Sequence, residues 1–269
     1  MLPGIDLLDN NNEKCSLRKL LFGYKSLENL VVPIGIFGDK KKYYIDFKET
    51  SGIFIGGETG SGKSMFLDAL IVSLLIKNTS DNLKFLLIDM NRVELNDYVG
   101  IPHLIGGIIS DSREALNSII NVMEERRNLL INSDHKDIFS YNEKNKNKLE
   151  QIIIVIDEGI DVIRDEYGKK VLTKLLLDGR SLGIHLIFAT NSYLKGNFEK
   201  NFIDMFTYVM SFDMASKEQA DFIKLDDANL LMVMDEALVR VKDKVSKIQT
   251  PLVSDEEVNR VIKYIKNNS

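Results

Sequence analysis

The run Gly57-Glu58-Thr59-Gly60-Ser61-Gly62-Lys63-Ser64 limits what this chain can fold into more than any other stretch. It fits G-x-x-x-x-G-K-[ST], a phosphate-binding loop (P-loop). Ile53-Phe54-Ile55-Gly56 before it reads as a short buried strand, and Met65-Phe66-Leu67-Asp68-Ala69-Leu70-Ile71-Val72 after it as a helix. A strand that turns through glycines into a helix can aim successive backbone N–H groups at one anion. The helix N-terminus adds partial positive charge at the same place. In this setting Lys63 is expected to reach the β- and γ-phosphates of a nucleotide, and the Ser64 hydroxyl to ligate Mg²⁺.

A second stretch, Gln151-Ile152-Ile153-Ile154-Val155-Ile156-Asp157-Glu158, is the natural companion of the first. An unbroken apolar run, mostly β-branched, predicts a central parallel strand buried on both faces. It ends on two acids. Asp157 fits the carboxylate that holds Mg²⁺ through its water shell (Walker B). Glu158 is placed to orient or deprotonate an attacking water. A strand-end pair of acids can also simply cap the next helix, but its pairing with the P-loop favours chemistry.

Bulk properties remove several alternatives. One cysteine, Cys15, leaves no intrachain disulfide and no cysteine metal cluster. His103, His135 and His185 lack metal-ligand spacing. No apolar run reaches the roughly 18–20 residues of a membrane span, and the N-terminus lacks the pattern of a signal peptide. A soluble, cytoplasmic protein is expected. A net charge of −5 differs from the basic profile of a general nucleic-acid binder, so contact with DNA has to come from local features.

Residues 1–29 read as a mixed lead-in, with a polar turn at Asn10–Lys14 and a short helix within Ser16–Tyr24. Residues 30–269 form the main domain. Leu30–Ile36 and Tyr43–Asp46 pair as a β-hairpin that feeds the P-loop strand. Lys84–Asp89 is the next strand, and its terminal acid sits where parallel sheets bind ligands. Asp111 and Glu114 start a helix carrying Leu116, Ile119, Ile120, Met123 and Leu130 on one face. The charged end of that helix, Glu124-Glu125-Arg126-Arg127, is compatible with a solvated face. Ser133–Leu149, rich in Lys and Asn, reads as a solvated loop or frayed helix tip.

Val171–Gly179 is helical, and Ile184–Asn191 is another buried strand with a polar tip. Asn191 there is a candidate to sense the γ-phosphate or the attacking water, whereas His185 reads as a satisfied core residue. Phe206–Phe212 is a further strand and Ala215–Lys224 a helix. A hairpin (Glu236–Val241 and Ser246–Gln249) and a last helix opened by a capping box at Ser254–Glu257 close the chain. The order β-(P-loop)-α-β-α-β-α-β gives an α/β P-loop NTPase fold. Its mostly parallel central sheet is flanked by helices, with a small β-hairpin before the P-loop and ATP at the C-terminal edge of the sheet.

Several landmarks, in order, resemble the FtsK/SpoIIIE family of motor ATPases. They are the P-loop itself, Ile88-Asp89-Met90-Asn91-Arg92-Val93-Glu94-Leu95, Ile101-Pro102-His103-Leu104, Met123-Glu124-Glu125-Arg126-Arg127, Val155-Ile156-Asp157-Glu158, the run Gly179–Thr190, and the tail Pro251–Val258. The resemblance covers about Leu30 to Ile265. It implies a RecA-like motor domain, a homo-oligomeric and commonly hexameric ring with ATP between subunits, and movement of double-stranded DNA through the ring. An arginine then has to cross the subunit boundary to the γ-phosphate. Its planar, always-charged fork suits that task. Arg180 is the first candidate and Arg127 the second, against a local salt bridge for either.

The chain departs from the family at two places. Thr190-Asn191-Ser192-Tyr193 stands where the family has Thr-Gln-Arg-Pro, and Asp89-Met90-Asn91 stands for Asp-Pro-Lys. The loop at Leu194–Asn201, pore-lining in the family, is short. Lys195, Lys200 and Lys244 are candidates for loops that grip phosphates, against ordinary surface lysines. The family's membrane segments and winged-helix DNA reader are absent from this sequence, which points to a membrane-bound or DNA-reading partner subunit. Three functions follow as expectations: a DNA translocase serving segregation or mobile-element transfer, a protein-secretion ATPase similar to those of type VII systems, or an ATP-binding assembly subunit that is not a motor.

Overall fold

The computed structural model describes residues 15–22, 29–191, 200–214 and 216–268. The expectations placed on residues 10–14 and 192–199, including Lys195, and on the side chain of Lys200, lie outside the described residues.

In chain order the helices are α1 (Leu17–Phe22), α2 (Lys63–Lys77), α3 (Ser112–Asn132), α4 (Ile138–Lys144), α5 (Glu166–Leu182), α6 (Lys200–Asp204), α7 (Lys217–Phe222) and α8 (Asp255–Asn267). The strands are β1 (Val31–Phe37), β2 (Lys42–Asp46), β3 (Gly52–Gly56), β4 (Leu83–Asp89), β5 (Gln151–Asp157), β6 (Ile184–Thr190), β7 (Tyr208–Ser211), β8 (Glu236–Val241) and β9 (Lys244–Gln249). The chain divides into two compact units. One is built from Met1–Phe47, Ile55–Asn78 and Tyr208–Ser269, the other from Lys48–Phe54 and Thr79–Thr207. Strand β3 is where the chain passes from the second unit into the first.

The first unit holds the antiparallel strands. β1 pairs with β2 and β9, and β8 pairs with β9 and β7, all antiparallel. The expected hairpins are both present: β1–β2 before the P-loop, and β8–β9 turning at Lys242, whose φ is +55°. α2 packs on β1 and on α8. α8 buries Val258, Val261 and Ile262 and Ile265, the stripe expected from its spacing. Its capping box is complete. The Ser254 side chain accepts from Glu257 N–H, and the Glu257 carboxylate accepts from Ser254 N–H at 2.9 Å.

The second unit holds the parallel strands. β4 pairs with β5 and β5 with β6, so that Asp89 stands opposite Asp157 and Ile156 opposite Phe188. β5 and β6 are buried along their whole lengths, which is why their sequences are mostly apolar without alternation. The free edge of β4 is covered by the chain's own segment after it. Phe85 N–H donates to His103 O at 2.7 Å, and Ile109 N–H donates to Leu87 O at 3.0 Å. Phe54, Phe188, Phe202 and Phe206 form a connected aromatic cluster with centroids 5.4–6.2 Å apart. His185 is fully buried and satisfied, with Nδ1 3.1 Å from Thr50 O and Nε2 3.1 Å from Gln151 Oε1.

Two expectations change here. The Lys/Asn-rich tract contains a two-turn helix, α4. Asp137 caps it by accepting from Ser140 N–H at 2.8 Å, and Ile138 is fully buried. One cap and one buried side chain outweigh the polar composition around them. The end of α3 is only partly a solvated face: Glu124 and Glu125 are exposed, but Arg126 is not. Arg126 is buried and donates to Glu150 O at 2.9 Å and to Glu150 Oε1 at 3.0 Å. Burial pushes its guanidinium below its ordinary value, and the Glu150 charge opposes that shift.

Candidate functional site

The cradle lies within the first unit. Strand β3 ends at Gly56, and Phe212 N–H donates to Gly56 O at 2.8 Å. Glu58 N–H donates to Asp213 O at 2.9 Å, which ties the first turn of the loop to the segment after β7. Gly57 is needed because a Cβ there would lie 2.5 Å from Ser61 Oγ and 2.9 Å from Phe212 Cβ. Gly62 is needed twice over. It is the N-cap of α2 with φ +102°, and a Cβ would lie 2.0 Å from Met234 O.

Among the described residues, no side chain caps α2. Its first N–H groups are therefore left for a ligand, the state expected of an anion-binding helix start. Ser61 Oγ is buried without a hydrogen-bond partner among the described residues, and Lys63 is buried at 5% exposure. An orphan hydroxyl, a buried ammonium and an uncapped helix start within one loop fit a triphosphate. Gly57, Glu58, Thr59, Gly60, Ser61, Gly62, Lys63 and Ser64 make up this loop and the start of α2.

The acids lie within the second unit. Asp157 ends β5 at 1% exposure. Glu158 follows in the left-handed region, φ +52°, ψ +48°, so the chain turns sharply just after the strand. Glu158 Oε2 accepts from the backbone N–H of Asn191, at the tip of β6, at 3.3 Å. Asp157, Glu158 and Asn191 are therefore grouped at the C-terminal ends of two adjacent parallel strands. No group of three or more His, Cys, Asp or Glu side chains suited to a metal occurs among the described residues. Mg²⁺ characteristically relies on one or two carboxylates plus substrate phosphates, and Asp157 is a buried strand-end carboxylate of that kind.

Asp89 has another occupation. Its Oδ1 accepts from Asn91 N–H at 3.0 Å and Arg92 N–H at 2.9 Å, and its Oδ2 from Leu95 N–H at 3.0 Å. This fully buried strand-end acid orders the loop after β4. Both arginine candidates are engaged within their own unit. Arg180 donates to Lys48 O at 2.7 Å and to Glu49 Oε2 at 3.2 Å. Arg127 donates to Asp178 Oδ2 at 2.7 Å. Sequence reasoning passed over Met234, whose carbonyl abuts Gly62. Its only signal was an apolar run, Leu230–Met234, that resembles core.

Cradle, parallel strands and acidic strand tips define a P-loop ATPase domain. A model of the FtsK/SpoIIIE family matches residues 24–169, and the chain belongs to that family. A curated relative, the DNA translocase FtsK of Caldanaerobacter subterraneus subsp. tengcongensis, is 33% identical over 83% of this chain and 33% of its own. The chain spans about a third of the length of the curated relatives it matches. Among solved structures, the cytoplasmic domain of the type VII secretion ATPase EccC from Thermomonospora curvata has a TM-score of 0.75 at 20% identity. That match covers 90% of this chain and 32% of EccC. The pCW3 conjugation coupling protein TcpA, with ATPγS, has a TM-score of 0.69 at 20% identity, covering 98% of this chain and 75% of TcpA. These structural likenesses establish the fold. Among the described residues, no helix is long and apolar enough to cross a membrane.

Proposed function

We propose that this chain is the ATP-hydrolysing engine of a ring-forming motor that moves double-stranded DNA. The observation that carries this reading is the intact cradle, with its buried Lys63 and left-handed Gly62, in a chain of the FtsK/SpoIIIE family. Its relatives named DNA translocase FtsK support the choice of polymer.

In this reading the loop N–H groups and Lys63 hold the phosphates. Ser64 and Asp157 are the residues that would hold Mg²⁺, and the ion would supply neutralisation of phosphate charge. Glu158 takes the proton of the attacking water. Asn191 positions Glu158 through its main chain and senses the γ-phosphate through its side chain. Arg180 completes the site of a neighbouring copy, leaving Glu49 when the ring closes. The cycle of subunit contacts then moves loops that grip DNA phosphates, Lys244 on the β8–β9 hairpin among them.

The test is displacement of a third strand from linear duplex DNA by the purified chain. ATP-dependent displacement, absent with ATPγS, supports the reading. ATP hydrolysis without displacement on any duplex length removes the translocase from it.

A further inference from the structure

Two surfaces of this chain complement one another, and the hydrolytic scheme uses neither. The first lies on α5, in the second unit. Lys170, Lys174 and Leu177 are spaced i, i+4, i+7 and share one helix face. They border a pocket of about 440 Å³ whose apolar lining includes Ile163, Phe202 and Met205. Leu177 is 70% exposed there. The acids of the pocket are already matched: Glu166 pairs with Lys169 at 3.0 Å, and Asp178 with Arg127 at 2.7 Å. Among the described residues neither Lys170 nor Lys174, both exposed, forms an ion pair. The surface is an apolar hollow with a positive rim.

The second surface lies in the first unit, between α7 and β8. Asp226 and Asp227 are exposed and likewise form no ion pair among the described residues. Leu230 N–H donates to Asp227 O at 3.0 Å, closing the 3₁₀ turn Ala228–Leu230 and setting the Leu230 side chain above that of Asp227. Leu230 is 63% exposed and Met232 91%. This surface is an apolar knob with acids at its base.

We propose that the acidic knob of one copy of this chain docks on the basic hollow of the next. The partner follows from the match. Two lysines meet two aspartates, and large apolar side chains left open on both sides cover one another. An unbranched methionine adapts to an irregular hollow. Because the two surfaces differ, copies join head to tail, the kind of contact that builds rings. The contact also serves the site. Arg180 stands one turn beyond Leu177 on α5, and the Met234 carbonyl lies against Gly62. Docking therefore carries α5 of one copy toward the phosphate loop of its neighbour. The proposal rests on the ring-forming reading above.

Sedimentation velocity of the full chain with Mg²⁺ and ATPγS tests it. The proteins are wild type, Lys170→Glu/Lys174→Glu, Asp226→Lys/Asp227→Lys and Met232→Ser. Wild type is expected to self-associate. Each double variant sets like charges together and is expected to associate at least about tenfold more weakly. Mixed one to one, the two double variants meet with opposite charges at every junction and are expected to regain wild-type association, which also shows that both fold. Met232→Ser keeps every charge and is expected to weaken association as well. A double variant that associates as wild type does overturns the contact and leaves the ring to other surfaces. So does a mixture that stays apart while both variants melt as wild type does, or a Met232→Ser chain with unchanged association. Wild type that stays monomeric defeats the ring reading and the contact together.

Discussion

The backbone N–H of Asn191 donates to Glu158 Oε2 at 3.3 Å, linking the tip of β6 to the residue that follows β5. Glu158 gets there by adopting φ +52°, an uncommon conformation for a residue with a side chain. Glutamine at 158 keeps an acceptor for that bond and removes the base. Glu158→Gln is therefore expected to lower turnover by at least about 10²-fold with ATP affinity within about twofold of wild type. Single-turnover hydrolysis beside equilibrium binding checks this, and normal turnover would reject Glu158 as the base.

Gly62→Ala tests the cradle. Alanine would have to hold φ +102° with Met234 O at 2.0 Å from its Cβ. The left-handed conformation alone costs about 1–2 kcal/mol, and the contact forces the loop or residues near Met234 to move. The variant is expected to melt several degrees lower and to lose measurable ATP binding.

Arg180 is tied to Lys48 O and Glu49 in its own chain, with its side chain 48% exposed. Exposed pairs of this kind contribute about 0–1 kcal/mol, a bond that ring closure can exchange for a phosphate. Arg180→Ala titrated into wild type is expected to suppress ATPase activity more than in proportion to its fraction, with little change in melting temperature. A proportional decline would mean that Arg180 does not act on a neighbour.

Ser254→Ala removes half of the capping box of α8. A loss of about 1 kcal/mol in denaturant unfolding is expected, with ATP binding unaffected. No loss would show that the α8 start is held by packing alone.

Tyr208 sets an alkaline limit. Burial, then the neighbouring Tyr43 and Asp46, push its phenol up to about 12. An unfolded tyrosine ionises near 10. Below pH ~10 both states keep the proton, and this residue adds no pH dependence. Between pH ~10 and ~12 the unfolded chain gives it up first, so stability falls as pH rises through that window. The difference in unfolding midpoint between wild type and Tyr208→Phe should widen over this range and stay flat below it.

What the sequence made legible was set by backbone demands. Gly57 and Gly62 stand where no side chain fits, and β5 and β6 are mostly apolar because both faces are covered. The capping box of α8 is a local hydrogen-bond pattern written in four residues. Asp89 was harder, because a strand-end acid looks the same whether it faces a ligand or, as here, three N–H groups of its own loop. The run containing Arg126 was compatible with a solvated face because the partner of Arg126, Glu150, comes from a distant position. The run Leu230–Met234 gave only a misleading signal, since an exposed apolar stretch beside a ligand loop is spelled like core.

The most direct measurement of the central claim is the steady-state ATPase rate of the full chain with and without long duplex DNA, across a salt series. A DNA-moving engine predicts a rate raised several-fold by duplex at low salt, with the gain fading as salt screens the phosphate contacts. A rate indifferent to DNA at every salt concentration, and raised instead by a secreted peptide, would contradict it.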